Sequence, residues 1–212
     1  MSEPKPRTLG AIVYPQFELL DLYGPLEMFG CLAPDVEIVS VAQQAGPVAS
    51  TPGIETVAKF GFDDCPPLDL LLLPGGIGTL PQLSNEALLE FLRKRTAEAE
   101  VTMSVCSGSA LLARAGVLDG RRATSNKLYF QLAVAQSDRV DWVTEARWVE
   151  DGPFVTSSGV SAGTDMSLAV IAKLFGRERA EKVSVITEYE WAEDSTRDPF
   201  ARYLNQAEKI LG

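Results

Sequence analysis

Three features of this chain predict an α/β fold, with a mostly parallel sheet covered by helices on both faces. Strand-like and helix-like runs alternate through most of its 212 residues, the pattern of βαβ units. One run, Leu68 to Leu73 (L-D-L-L-L-L), is almost continuously apolar, as a central parallel strand buried on both faces must be. Another, Val101 to Val105 (V-T-M-S-V), passes without a linker into a helical pattern starting at Ser107, so a strand feeds straight into a crossover helix.

The length suits one domain with a complete core. That domain is expected at 8–212, behind a polar tail, 1–7, that carries Pro4 and Pro6. With 46% hydrophobic and 23% charged residues, the composition is that of an ordinary soluble globular protein. A formal net charge of −10 argues against nucleic acid as the main partner. The chain shows neither a signal-peptide pattern nor an apolar run long enough to span a bilayer, which predicts a cytoplasmic protein with no membrane partner. Cys31, Cys65 and Cys106 are spaced too widely for a zinc motif or a disulfide framework. The chain has no histidine. That removes Ser-His-Asp and Cys-His-Asp catalysis and argues against a transition-metal site. No metal and no cofactor is expected, and acid–base work falls to a carboxylate, Lys, Tyr or water.

Taken in order, Thr8 to Tyr14 reads as the first strand. Pro15 to Glu18 turns the chain toward a helix running to about Gly30, with Pro25 suited to its first turn. Asp21 then lies in the loop beyond the strand, at the edge where open α/β sheets hold their sites. It either caps the helix or carries chemistry. Val36 to Val41 is a second strand, and 49–58, with the turn Thr51-Pro52-Gly53, reads as a hairpin or a short excursion from the sheet. The leucine strand ends in Pro74-Gly75-Gly76-Ile77-Gly78-Thr79. Glycines there give either a plain tight turn or a backbone that can approach a ligand. No Gly-Lys-Ser/Thr comes after them, which excludes a phosphate P-loop. Asn85 to Glu98 is an amphipathic surface helix. After the helix that begins at Ser107 come a turn at 117–120, a short strand at 122–124 and a helix over 126–135. Strands are expected at 142–144, 146–150 and 154–157, the last two joined by Asp151-Gly152-Pro153. Helices over 164–175, 177–190 and 198–211 complete the chain. Cys31 and Cys65 read as structural.

Cys106 stands at the joint of the strand and helix, among Ser104, Ser107, Gly108 and Ser109. A cysteine at a strand end is most often a small buried hydrophobe. A strand that turns sharply into a helix around a nucleophile, however, needs small neighbours because the corner is crowded and strained, and this run supplies them. The first N–H groups of the helix are expected to favour thiolate. By the rule for open sheets, Asp21, the Gly75-Gly76 turn and Cys106 converge at one edge.

Four runs carry a family likeness: F-E-L-L-D-L-Y-G-P-L-E-M-F (17–29), L-L-L-P-G-G (71–76), S-V-C-S-G-S-A-L-L-A-R-A-G-V-L-D-G-R-R-A-T (104–124) and S-S-G-V-S-A-G-T-D (157–165). Together they resemble the ThiJ/PfpI superfamily, a group related to the class I glutamine amidotransferases. The resemblance spans nearly the whole chain and implies a flavodoxin-like sandwich. Within the superfamily the motifs look most like those of bacterial isonitrile (isocyanide) hydratases. The amidase-like sensor domains of some AraC-type regulators share them, but the chain leaves no room for a helix-turn-helix domain, which argues against a complete regulator. The resemblance implies that Cys106 is the nucleophile and Asp21 the acid that exchanges a proton with the reacting centre. It also implies an anion hole from Gly75, the adjoining Gly76 and the amide of Ser107, with the Ser107 hydroxyl where the hydratases carry Thr. Where family members usually have histidine after Gly-Arg-Arg, this chain has Asn126, with Lys127 next to it in place of an aromatic. Both are pocket candidates. A Cys–His route is lost and a carboxylate route remains.

The implied activity is isocyanide hydration, R–N≡C to an N-substituted formamide, through a Cys106 thioimidate with Asp21 as general acid and base. One alternative is a cofactor-independent glyoxalase or deglycase acting on 2-oxoaldehydes. Another is a non-enzymatic redox or ligand sensor in which Cys106 oxidises to a sulfinate. The expected partners are a small-molecule substrate and, as is usual in the family, a second copy in a homodimer.

Overall fold

Runs that are apolar along their whole length become the middle of the sheet in this computed structural model, which describes residues 5–211. The strands are β1 (Arg7–Ile12), β2 (Val36–Val41), β3 (Gly46–Ala49), β4 (Glu55–Ala58), β5 (Leu70–Leu73), β6 (Val101–Ser104), β7 (Arg122–Ala123), β8 (Asp141–Trp142), β9 (Trp148–Asp151) and β10 (Phe154–Ser157). The helices are α1 (Leu19–Gly30), α2 (Thr79–Gln82), α3 (Glu86–Glu98), α4 (Gly108–Arg114), α5 (Phe130–Val134), α6 (Ala162–Phe175), α7 (Arg177–Ile186) and α8 (Ala207–Leu211). Six strands form the main sheet in the order β2-β1-β5-β6-β10-β9. All its pairings are parallel except the edge pair β10–β9. The register Leu9↔Leu70 and Leu70↔Val101 stacks the apolar strands side by side, and every residue of β5 and β6 is buried. Helices α1, α6 and α7 pack on one another, while α2, α3 and α5 gather around α4. The hydrophobic core lies between these groups and the sheet. The expected α/β architecture is the observed one.

The parallel order sets the place of the site. β1, β5, β6 and β10 are consecutive neighbours running the same way. Their carboxyl ends therefore open on one edge, where the chain leaving each strand carries Asp21, Gly75, Cys106 and Ser158 in turn. The hairpin stands apart as the antiparallel pair β3–β4, turning at Gly53 with φ +87.

Several boundaries differ from the sequence expectation. Arg7 belongs to β1 and pairs with Val36, so the tail is shorter than 1–7; its residues 1–4 lie outside the described residues. Helix α1 starts at Leu19, which puts Asp21 in its first turn and Pro25 in its interior. Buried Phe17 and the bond from the Glu18 N–H to the Gly75 carbonyl (2.8 Å) set that early start. β7 and β8 pair with each other outside the main sheet. The helix expected over 126–135 is reduced to α5, because Asn126 accepts from the Tyr129 N–H (3.1 Å) and Lys127 turns inward. The helix expected over 198–211 is a 3-10 turn at Ala201–Tyr203 and the short α8, divided at Asn205, whose φ is +56.

Candidate active site

The corner at Cys106 is strained where the sequence predicts strain. β6 ends at Ser104, α4 begins at Gly108, and Cys106 between them has φ +58, a left-handed conformation rare for a side-chain-bearing residue. Its N–H donates to the Ser158 carbonyl at 3.0 Å, which ties the corner to the end of β10. Two carbonyls hold the next turn closed: a Cβ on Gly108 would lie 2.5 Å from the Leu73 oxygen and 2.8 Å from the Pro74 oxygen. Only glycine fits there. The Cys106 side chain is buried, with 7% of the residue exposed.

Asp21 reaches the same place from the first turn of α1. It is fully buried, and its Oδ2 accepts from the Gly75 N–H at 2.9 Å. Its Oδ1 meets no hydrogen-bonding partner among the described residues. Burial disfavours the ionised form of a carboxyl. Burial pushes Asp21 up to about 7, with the Glu18 charge adding to it; the Gly75 N–H and the Cys106 thiol pull the other way. Burial, joined by the Asp21 charge, drives the Cys106 thiol well above its ordinary value, against the lowering contributions of the Ser107 N–H, Asn126 and the Ser107 hydroxyl. The expected resting thiolate is thus corrected. A seven-residue helix offers a weak dipole, and desolvation outweighs it, so the pair rests as a thiol beside a carboxyl that titrates near neutrality.

The three expected anion-hole donors separate. The Gly75 N–H is committed to Asp21, and the Gly76 N–H donates to the Ser107 hydroxyl oxygen at 3.1 Å. Only the Ser107 N–H acts on the Cys106 sulfur. Gly75 is instead a spacer: a Cβ there would come within 2.6 Å of both the Ser107 nitrogen and hydroxyl oxygen, and within 3.0 Å of Asp21 Oδ2. Asn126, at the family's histidine position, does act on the sulfur. Lys127 borders the adjoining cavity, but its ammonium points away. It donates to Thr124 Oγ1 and to the Ala146 carbonyl, both at 2.8 Å, and stands 3.9 Å from the Asp198 carboxylate. Burial lowers it to about 8 despite Asp198 and Glu145.

Two residues not singled out by the sequence complete the site. Thr79 Oγ1 lies 2.9 Å from Ser107 Oγ and 3.0 Å from the Tyr14 hydroxyl, which donates to the Pro74 carbonyl at 2.7 Å. This buried hydroxyl chain fixes Ser107 beside the thiol. The position of Tyr14 just past β1, at the carboxyl edge, is the one signal that points to it. Among the described residues no group of three His, Cys, Asp or Glu could hold a metal ion, and no helix is long and apolar enough to cross a membrane.

A cysteine on a strained strand-to-helix corner, at the carboxyl edge of a mostly parallel sheet, defines an α/β protein of the cysteine-elbow class. The DJ-1/PfpI family pattern matches residues 10–173, and the chain belongs to that family. It is 37% identical to an isonitrile hydratase of Pseudomonas putida over 85% of this chain and 78% of that one. It is 32% identical to protein DJ-1 homolog A of Arabidopsis thaliana over 72% of this chain, spanning only 39% of that longer protein. Among solved structures, a ThiJ/PfpI family protein from Pseudomonas syringae superposes with a TM-score of 0.82 at 34% identity, over 97% of this chain and 86% of that one.

Proposed function

We propose that this protein hydrates isocyanides, converting R–N≡C and water to R–NH–CHO. The observation that carries this reading is the pairing of a buried thiol with Asp21, a carboxyl that gains or loses a proton near pH 7, in a chain with no histidine. The 37% identity to an isonitrile hydratase supports it. The terminal carbon of an isocyanide accepts both a proton and a nucleophile, so a resting thiol suits it. The Cys106 proton passes to ionised Asp21 and on to that carbon as the sulfur bonds to it, giving R–N=CH–S. Asp21 then takes a proton from water as the water oxygen adds to the same carbon. Asp21 hands that proton to nitrogen, the C–S bond breaks as the proton of the new hydroxyl returns to sulfur, and R–NH–CHO leaves with Asp21 ionised again.

The test is a panel of aryl and alkyl isocyanides, with methylglyoxal alongside, assayed on wild type, Cys106→Ala and Asp21→Asn. Formamide should accumulate with wild type and fall at least a thousandfold in either variant. Lactate from methylglyoxal without formamide would move the protein to the glyoxalase reading. Reversible Cys106 oxidation without turnover would make it a sensor.

A further inference from the structure

Past Asn126 and Ser158, which adjoin Cys106, lies a cavity of about 520 Å³ that the proposed proton and sulfur chemistry does not use. It shares Asn126 and Ser158 with the surroundings of Cys106: Ser158 accepts the Cys106 N–H, and Asn126, which Gly159 of the lining adjoins, lowers the thiol value. Beyond them its wall is Leu128, Val160, Ser161, Phe200, Tyr203 and Ile210. Among the described residues the one charged residue on the lining is Lys127, whose ammonium is spent on Thr124, Ala146 and Asp198. Apart from these polar groups the cavity presents mainly hydrocarbon, and among the described residues it offers no counter-ion.

Its outer wall is built by the last stretch of chain. Asp198 pairs with Lys127, the Asn205 N–H donates to the Lys127 carbonyl at 2.8 Å, and the Gln131 N–H donates to Asn205 Oδ1 at 2.9 Å. The left-handed turn at Asn205 brings Tyr203 and Ile210, on either side of it, to one cavity. Cavities of this size hold a ligand well beyond a single six-membered ring.

We propose that this cavity seats the substrate's N-substituent and that the substituent is an uncharged apolar group of about naphthyl size. The assignment rests on the isocyanide reading for the reaction, while the seat itself can be tested without turnover. N-(2-naphthyl)formamide and formanilide are titrated into Cys106→Ala by calorimetry, and 2-naphthyl, phenyl and 4-carboxyphenyl isocyanides are assayed with wild type. The naphthyl product should bind at least tenfold tighter than formanilide. The KM for the naphthyl isocyanide should be lowest and that for the carboxylate at least a hundredfold higher. Phe200→Ala, at a half-exposed position, and Val160→Glu, each with an unchanged circular dichroism spectrum, should weaken naphthyl binding tenfold or more. Equal binding of the two formamides, or indifference to both substitutions, overturns the seat even if isocyanides turn over. Tight, Phe200-dependent naphthyl binding with no isocyanide turnover upholds the seat and overturns the reaction.

Discussion

At the scale of the residue, Asp21 has one oxygen held by the Gly75 N–H and one without a partner among the described residues, and the burial of this carboxyl bears on both rate and stability. In the proposed reaction, the form of the Asp21–Cys106 pair that carries one proton is the reactive one. kcat/KM should therefore rise as pH passes about 7 and stay up toward the raised thiol value, and a pH profile reads this limb directly. Stability should run the other way. The folded chain binds the Asp21 proton more tightly than the unfolded chain, whose ordinary value is 3.8, so ionisation costs stability as pH climbs from about 4 to about 7. Asp21→Asn should be more stable than wild type at pH 8 by about 2–4 kcal/mol, with the gap closing near pH 4 in urea denaturation. Gly75→Ala tests the spacer. Its Cβ has no room beside Ser107 and Asp21, so kcat/KM should fall at least tenfold and stability by about 1–3 kcal/mol. Small neighbours and a strand end mark Cys106 in the sequence, whereas Asp21 is marked only by its place after the first strand and by the family resemblance. The sequence does not show that the Gly75 N–H is spent on Asp21, or that burial defeats the helix dipole, since both depend on packing between distant segments.

Elements whose limits are written in their own residues match the sequence reading. Asn85 caps α3 by accepting the Leu88 N–H at 3.3 Å, and its amide donates to Gln82 and Gln43. Asn85→Ala should cost about 1 kcal/mol, measured by thermal unfolding. β2 and β10 fall within their predicted limits because turns bound them on both sides. The stretch from Asn126 to Tyr129 has helical composition but is not helical. Its side chains serve the thiol and the last stretch of chain, and tertiary contacts override local propensity. The same holds around Asn205, whose side chain satisfies the Gln131 N–H instead of continuing a helix.

At the scale of the molecule, alternation and apolar content disclose the sheet and the edge that bears the site, because parallel strands force their crossovers to it. What holds the 187–211 segment against that sheet is not legible, for it rests on buried charges far apart in sequence. Asp165 in α6 accepts from Arg147 Nε at 2.8 Å, from the Tyr189 hydroxyl at 3.1 Å and from the Ala192 N–H at 2.8 Å. The Arg147 N–H in turn donates to the Ser195 carbonyl at 2.8 Å. Asp165→Asn leaves a buried guanidinium without its counter-charge and should cost about 3–5 kcal/mol. Hydrogen exchange should show faster amide loss over 189–198 in that variant, while β5 and β6 stay protected.

The missing imidazoles have an experimental consequence. Histidines ordinarily crowd the neutral part of a protein's titration curve, and here none is present to obscure the Asp21 carboxyl as it ionises. Infrared difference spectra taken across neutral pH can track the acid carbonyl stretch of that one side chain, with Asp21→Asn as the blank. Substrate and product can then be ranked by how far each displaces its midpoint.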